Sequence, residues 1–242
     1  MTYPPPAILA HRGGALEAPE NTLAAIAHAI ACGADGVELD VRLAADRVPV
    51  VFHDPDLVRL AGDPRRISEL VWRELRSVRF SSAVAAAARH AVPTLAAALA
   101  AARPLARVNL EIKPDGFGPG ELAAGILNAL GGAVAASERI VLSSFDPEIV
   151  RAVGRLRPGL ARGCVLEAPP PDASWADHPW VALEQGLARS GWAREALERG
   201  VRVLVWTEND EESLPAWRAE GVSGIITDRP ARFAAARRRR IA

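Results

Sequence analysis

Short apolar runs alternate with helical stretches from one end of this chain to the other, and that rhythm limits the fold more than any other property of the sequence. Setting one hairpin arm aside, runs of strand character begin near residues 7, 36, 108, 140, 163, 180, 201 and 224. Between them, apolar residues recur at helical spacing, as at Leu23, Ile26, Ala27 and Ile30. Asn21, Thr94 and Asp146 stand where N-caps are expected, the last followed by Pro147 at the first helical position. A parallel neighbour is reached only through a crossover long enough to hold a helix, so this alternation implies parallel pairing. Eight such units imply an α/β fold closed into a TIM (β/α)8 barrel. The competing open, doubly wound sheet would carry a glycine-rich dinucleotide turn after its first strand, and His11-Arg12-Gly13-Gly14 is not one.

Residues 1–242 read as one domain, with no Ser/Gly linker or shift in composition to divide them. Residues 55–92 break the rhythm and read as a small insertion before the third barrel strand, covering one end of the barrel. A turn is expected there at Gly62-Asp63-Pro64 and a helix from Ser68 to about Val78; the alanine-rich piece near Ala83 to Ala88 has no clear placement. The helix after residue 188 is expected to run to Arg199, and the loop APPPDASWADHP is too rich in proline for regular structure.

The segment from Gly36 to Asp54 holds charged groups where a buried strand should be apolar. Its two apolar runs, Val37–Leu43 and Val48–Phe52, are separated by four residues, too few for a crossover, so they form an antiparallel hairpin extending strand two. Pairing Leu43 with Val48 would set His53 opposite Glu38. Glu38 and Asp40 share one face of their strand, and two like charges held that close call for a cation between them.

Further polar groups fall at the carboxyl ends of the other strands, the end at which TIM barrels carry their chemistry. They are His11 and Arg12, Glu111 and Lys113, Ser144, Glu184, Trp206 through Asn209, and Asp228. Three carboxylates without a cysteine or a histidine pair suit a hard divalent cation, Mg²⁺ or Ca²⁺. Lys113 is the only lysine in a chain that uses arginine everywhere else, which marks a position where a compact ammonium is wanted.

Charge and composition exclude several classes of function. With 29 basic and 29 acidic residues the formal charge is zero, against a nucleic-acid surface that needs a dominant basic field. No stretch approaches the ~18 uncharged apolar residues of a membrane span, and the N-terminus has no basic region or long apolar core. Stable membrane insertion is therefore not expected and a cytoplasmic location is. Cys32 and Cys164 read as reduced and buried.

Taken in order, AHRG (10–13), PENT (19–22), ELDV (38–41), FHD (52–54), PTL (93–95), EIK (111–113), SSF (143–145), WTEN (206–209) and ITD (226–228) resemble the glycerophosphodiester phosphodiesterase family over nearly the whole chain. The compact length is similar to the cytoplasmic bacterial type. The resemblance implies metal-dependent hydrolysis of a small-molecule glycerophosphodiester to sn-glycerol 3-phosphate and an alcohol. It implies His11 and His53 as general acid and base, Glu38, Asp40 and Glu111 as metal ligands, and Arg12 and Lys113 as clamps on the phosphodiester. Glu20 and Asn21 would shape the mouth, Trp206 would line the pocket beside the alcohol, and Glu184 at its strand end joins the substrate-binding groups. A lysophospholipase D, a cyclising phosphodiester lyase and a non-catalytic binder of phosphorylated metabolites are the alternatives. Two positions depart from the family: Arg47 stands where a glycine is usual in the hairpin turn, and Glu198-Arg199 where Ala-His is frequent.

Overall fold

The computed structural model describes residues 3–82, 84–131 and 139–239. β1 (Ala7–His11) leads through α1 (Leu23–Cys32) to β2 (Gly36–Leu43), and β3 (Pro49–Val51) folds back on the outer end of β2. The insertion follows: β4 (Asp56–Leu57), α2 (Val58–Ala61), β5 (Asp63–Arg66), α3 (Trp72–Leu75), β6 (Phe80–Ser82) and β7 (Ala85–His90). The barrel resumes with α4 (Leu95–Ala101), β8 (Arg107–Ile112), α5 (Pro119–Leu130), β9 (Ile140–Ser144), α6 (Pro147–Leu156) and β10 (Arg162–Leu166). It ends with β11 (Trp180–Glu184), α7 (Gln185–Leu187), α8 (Ala193–Glu198), β12 (Arg202–Trp206), α9 (Leu214–Glu220), β13 (Gly224–Thr227) and α10 (Pro230–Arg239). Neighbouring strands from β8 through β13 pair in sequence order; β2 pairs with β8, and β1 pairs in parallel with both β2 and β13. The eight parallel strands thus close into a TIM barrel, as the alternation predicts.

Side chains on a strand alternate between two faces, and here the two faces feed different cores. Leu9, Val141, Val165, Trp180, Ala182, Leu204 and Ile226 fill the barrel interior. The intervening residues, such as Val37, Leu39, Val108 and Leu110, pack outward against the helices. Inward-facing positions nearest the carboxyl ends of the strands are left to polar groups, which is how the fold assembles a site at one rim.

Local chemistry sets the ends of the elements. Thr22, and not Asn21, caps α1 by accepting the Ala25 N–H at 3.1 Å, because the Asn21 side chain is turned onto Asp40. Gly33 stops the helix at φ 85°, and Asp146 caps α6 ahead of Pro147 by accepting the Glu148 N–H at 2.8 Å. Between β10 and β11 the proline-rich loop holds a single 3₁₀ turn, Ser174–Asp177, in place of an α-helix.

The hairpin forms as expected, with its register one residue away from expectation. Leu43 pairs with Pro49 and Arg42 with Val50, so Phe52, and not Val51, comes opposite Asp40, where its N–H bonds Asp40 O at 3.1 Å, and the register that would set His53 opposite Glu38 is not the one formed. The turn explains the shift: Arg47 N–H bonds Ala44 O at 2.8 Å, Ala44 N–H bonds Val48 O at 3.0 Å, and Arg47 sits in the left-handed region at φ 62°. A turn closed by such a residue adds a bulge to one arm and moves the pairing along by one.

Residues 55–92 form two small hairpins, β4–β5 and β6–β7, over a private core built from Ala44, Val50, Phe52, Leu57, Ile67, Leu70, Leu75, Phe80 and Val92. Ala83 lies outside the described residues, while Ala85–His90 of the unplaced alanine-rich stretch is strand β7. The helix expected from Ser68 to Val78 shrinks to the 3₁₀ turn Ile67–Glu69 and the single turn of α3. Leu70 interrupts it: its carbonyl accepts the Ala45 N–H at 2.8 Å while its side chain is buried, holding the backbone extended at φ −103°, ψ 135°. The helix expected from Ala188 to Arg199 is broken likewise, by Gly191 at φ 108°.

Candidate active site

Strand register brings the site together. His11 is the β1 neighbour of Glu38, and Glu111 is the β8 neighbour of Asp40. Three carboxylates from two strands therefore converge, with one oxygen from each of Glu38, Asp40 and Glu111 within 4.8 Å of the others. Glu38 and Asp40 are almost wholly buried. Beneath them a cavity of 20 Å³ is lined by His11, Glu38, Asn109, Glu111, Trp206 and the apolar floor at Ala182.

The cations divide unequally among these acids. Lys113 Nζ lies 3.1 Å from Asp40 Oδ1 and also contacts Glu111. Arg12 Nε approaches Asp40 Oδ2 at 3.4 Å, Arg12 Nη1 donates to Glu20 at 3.1 Å, and Asn21 Nδ2 donates to Asp40 at 2.7 Å. Burial works against an ionised Asp40, but Lys113 and Arg12 outweigh it and hold the carboxyl at about 2. Glu38 fares differently: one oxygen accepts the Arg12 backbone N–H at 3.1 Å, and the other, buried, has no hydrogen-bond partner among the described residues. Burial, reinforced by the charge of Asp40, pushes Glu38 up to about 8, and Glu111 is raised for the same two reasons.

Arg12 reaches Glu38 only because its backbone is left-handed, at φ 51°. That conformation costs a non-glycine residue roughly 1–2 kcal/mol, and strain of this kind gathers at functional sites. Gly13 lets the turn press on α1, for a Cβ there would lie 2.4 Å from that of Ala25.

Each imidazole is oriented by a carboxylate. His11 Nδ1 lies 2.6 Å from Asp228 Oδ1, and Asp228 is itself held by Asn209 Nδ2 at 2.9 Å, leaving His11 Nε2 facing Glu38 at 3.9 Å. Burial disfavours the charged ring, but the bond to Asp228 and the charge of Glu38 prevail and raise the pKa of His11. His53 Nδ1 meets Asp54 Oδ1 at 2.7 Å, and Arg59 joins Asp54 to Glu20. Burial lowers the pKa of His53 against the pull of Asp40.

The structure thus gathers His11, Arg12, Glu38, Asp40, Glu111 and Lys113 at one rim, with His53 close enough to feel the charge of Asp40. Trp206 borders the same cavity, packs edge-to-face on Phe145 at 5.4 Å and donates to Ala182 O at 3.3 Å. Glu184 is engaged elsewhere: its carboxylate accepts the Gly186 and Leu187 N–H groups at 2.6 and 3.0 Å, capping α7. Ser144 is also structural, donating to Ile112 O. Sequence reasoning gave no role to Asp228, Asn209 or Asp54 as orienting groups, although each carries a short polar side chain at a strand end or beside a histidine.

The chain is similar over nearly its whole length to known proteins of one family. The glycerophosphoryl diester phosphodiesterase family matches residues 11–232. A glycerophosphodiester phosphodiesterase of Caldanaerobacter subterraneus is 30% identical over 245 residues, spanning 92% of this chain and 94% of that one. A phosphodiesterase of Oleispira antarctica, solved with the product sn-glycerol-3-phosphate, superposes with a TM-score of 0.83 at 26% identity over 97% of both chains. A glycerophosphodiester phosphodiesterase of Thermotoga maritima gives 0.77 at 26% identity over 95% of this chain and 97% of its own. Barrel and relatives define a phosphoric diester hydrolase. Within that class, the chain belongs to the glycerophosphoryl diester phosphodiesterase family.

Proposed function

We propose that this enzyme hydrolyses glycerophosphodiesters to sn-glycerol 3-phosphate and an alcohol, using Mg²⁺ or Ca²⁺ held by Glu38, Asp40 and Glu111. The observation that carries the reading is Glu38: a buried carboxylate with one oxygen unpartnered among the described residues, inside a triangle of acids. Among the described residues, ion pairs reach Asp40 and Glu111 through Lys113 but give Glu38 no close cationic side chain except His11 at 3.9 Å. An all-oxygen set of this kind fits a hard divalent ion. When bound, that ion supplies a Lewis acid to stabilise charge on the phosphoryl oxygens, worth several kcal/mol.

The remaining chemistry belongs to the chain. Arg12 and Lys113, already at the carboxylates, bind the phosphodiester anion and stabilise the negative charge that grows on it. His11 and His53 have one ring nitrogen fixed by Asp228 and Asp54, so the other is free to exchange a proton with substrate. One imidazole takes the proton of the attacking oxygen and the other gives a proton to the leaving alkoxide, each role contributing about 10²- to 10⁴-fold. Trp206 and Phe145 offer an apolar wall beside the alcohol half.

Release of sn-glycerol 3-phosphate from glycerophosphoethanolamine and related diesters, followed with a coupled dehydrogenase in the presence of Mg²⁺ or Ca²⁺, tests the proposal. Turnover with monoester as the final product is expected. Phosphorus NMR showing cyclic phosphate as the end product would replace hydrolysis with a lyase reaction, and no turnover with any glycerophosphodiester would refute the reading.

A further inference from the structure

β2 carries four inward positions in period two, Gly36, Glu38, Asp40 and Arg42. The last is a guanidinium only 5% exposed, and among the described residues its ion pair is to Asp115 and to none of the three clustered acids. Its Nε and Nη2 both donate to the backbone carbonyl of His53, at 2.9 and 2.6 Å. Nη1 turns the other way, to Pro114 O at 3.4 Å and Asp115 Oδ2 at 3.4 Å, in the loop that follows Lys113. Asp115, buried in turn, is also held by Arg66 from the insertion. One side chain therefore joins the strand of Glu38 and Asp40, the backbone of His53, and the loop after Lys113.

We infer that Arg42 is a positioning residue for catalysis: its guanidinium fork fixes the His53 backbone against the strand that bears Glu38 and Asp40. The physical case rests on geometry. His53 lies just past β3, after the ladder with β2 has ended, so the sheet alone does not hold its peptide. Two donors from one planar group on one carbonyl set distance and direction together, which an ammonium on a flexible stem does not. Burying a guanidinium is costly, and Asp115 supplies the opposite charge that this requires.

The inference rests on the proposed role of His53, so the experiment separates the two. Turnover of glycerophosphoethanolamine with Mg²⁺ is measured for wild type, Arg42→Lys, His53→Gln and the double variant, with Mg²⁺ affinity determined for each by calorimetry. Lysine keeps the charge for Asp115 but loses the fork. Arg42→Lys is expected to lower kcat about 10- to 100-fold, the scale of an ångström-sized misplacement, with KM and Mg²⁺ affinity unchanged. In the His53→Gln background the same change is expected to cost less than about twofold, because the partner it acts through is gone. Unchanged kcat in Arg42→Lys, a full additive loss in the double variant, or a rate loss matched by lost Mg²⁺ affinity would overturn the inference. A wild-type rate in His53→Gln would instead overturn the role of His53. If Arg42→Lys does not fold, Asp115→Asn carries the same cycle, with a smaller kcat loss that again disappears beside His53→Gln; an additive loss there refutes the inference.

Discussion

Glu38 is the residue where burial and charge are least reconciled within the chain itself. Its carboxyl, ordinarily near 4.5, is carried to about 8 by burial and by Asp40. The folded, cation-free protein therefore holds a proton there that the unfolded chain releases, and stability falls as pH rises from about 4.5 to about 8. Glu111 and His11 are raised as well and act in the same direction; His53, lowered, opposes them near its ordinary 6.5. Thermal unfolding in chelator should show a lower midpoint at pH 8 than at pH 5, and added Mg²⁺ or Ca²⁺ should raise the midpoint more at pH 8. A chelated protein that gains stability over that interval would contradict this charge balance. Glu38→Gln should weaken cation affinity at least about 100-fold by calorimetry while removing the burden of a buried charge, so that the cation-free variant is no less stable than wild type at pH 8. At this scale the sequence is informative about charged residues in a repeating pattern and silent about their partners. Glu38, Asp40 and Glu111 stand out because strands rarely bury acids, whereas Arg42 continues the same period and passes for a surface residue until its contacts are known.

Among the elements, the hairpin shows both what patterning predicts and where it stops. Two apolar runs with four residues between them must be antiparallel, but their register depends on the backbone conformation of one turn residue. Arg47 takes the left-handed place at φ 62°, and its side chain then finds Glu121 at 2.7 Å and the ring of Phe117 at 5.4 Å. Both contacts are with the β8–α5 region, and the ion pair is exposed on both sides, so it recovers little of the strain. Arg47→Gly should gain about 1–2 kcal/mol from relief of strain, less about 1 kcal/mol for the lost pair and for glycine's extra freedom when unfolded. The net gain of about 0.5 kcal/mol corresponds to about 1–2 °C in Tm, with kcat unchanged. A drop in Tm would show that the Glu121 and Phe117 contacts outweigh the strain. The insertion was less legible for a related reason: the helical spacing between Ser68 and Val78 is overridden at Leu70, whose carbonyl is claimed by Ala45. At Glu198-Arg199, the second departure from the family, Arg199 pairs with Glu195 at 2.9 Å on the exposed face of α8.

For the whole molecule, strand–helix alternation was enough to predict the closed barrel, because eight parallel strands with crossovers have few other ways to satisfy their edges. The gathering of polar groups at one rim follows from that topology, and Leu9, Val165, Ala182, Leu204 and Ile226 beneath supply the apolar floor. Glu184 shows the limit of this logic, since a place at a strand's carboxyl end fits the N-cap of the next helix as well as it fits a ligand. No helix among the described residues is long and apolar enough to cross a membrane. The function we propose rests on one arrangement: the three acids would hold a divalent ion, with an imidazole on either side of the phosphorus. Anomalous diffraction from crystals grown with Mn²⁺ and sn-glycerol 3-phosphate observes that arrangement directly. The account predicts an ion peak bounded by Glu38, Asp40 and Glu111, with the phosphate between His11 and His53. A peak away from the three carboxylates, or a phosphate bound out of reach of either histidine, would contradict it.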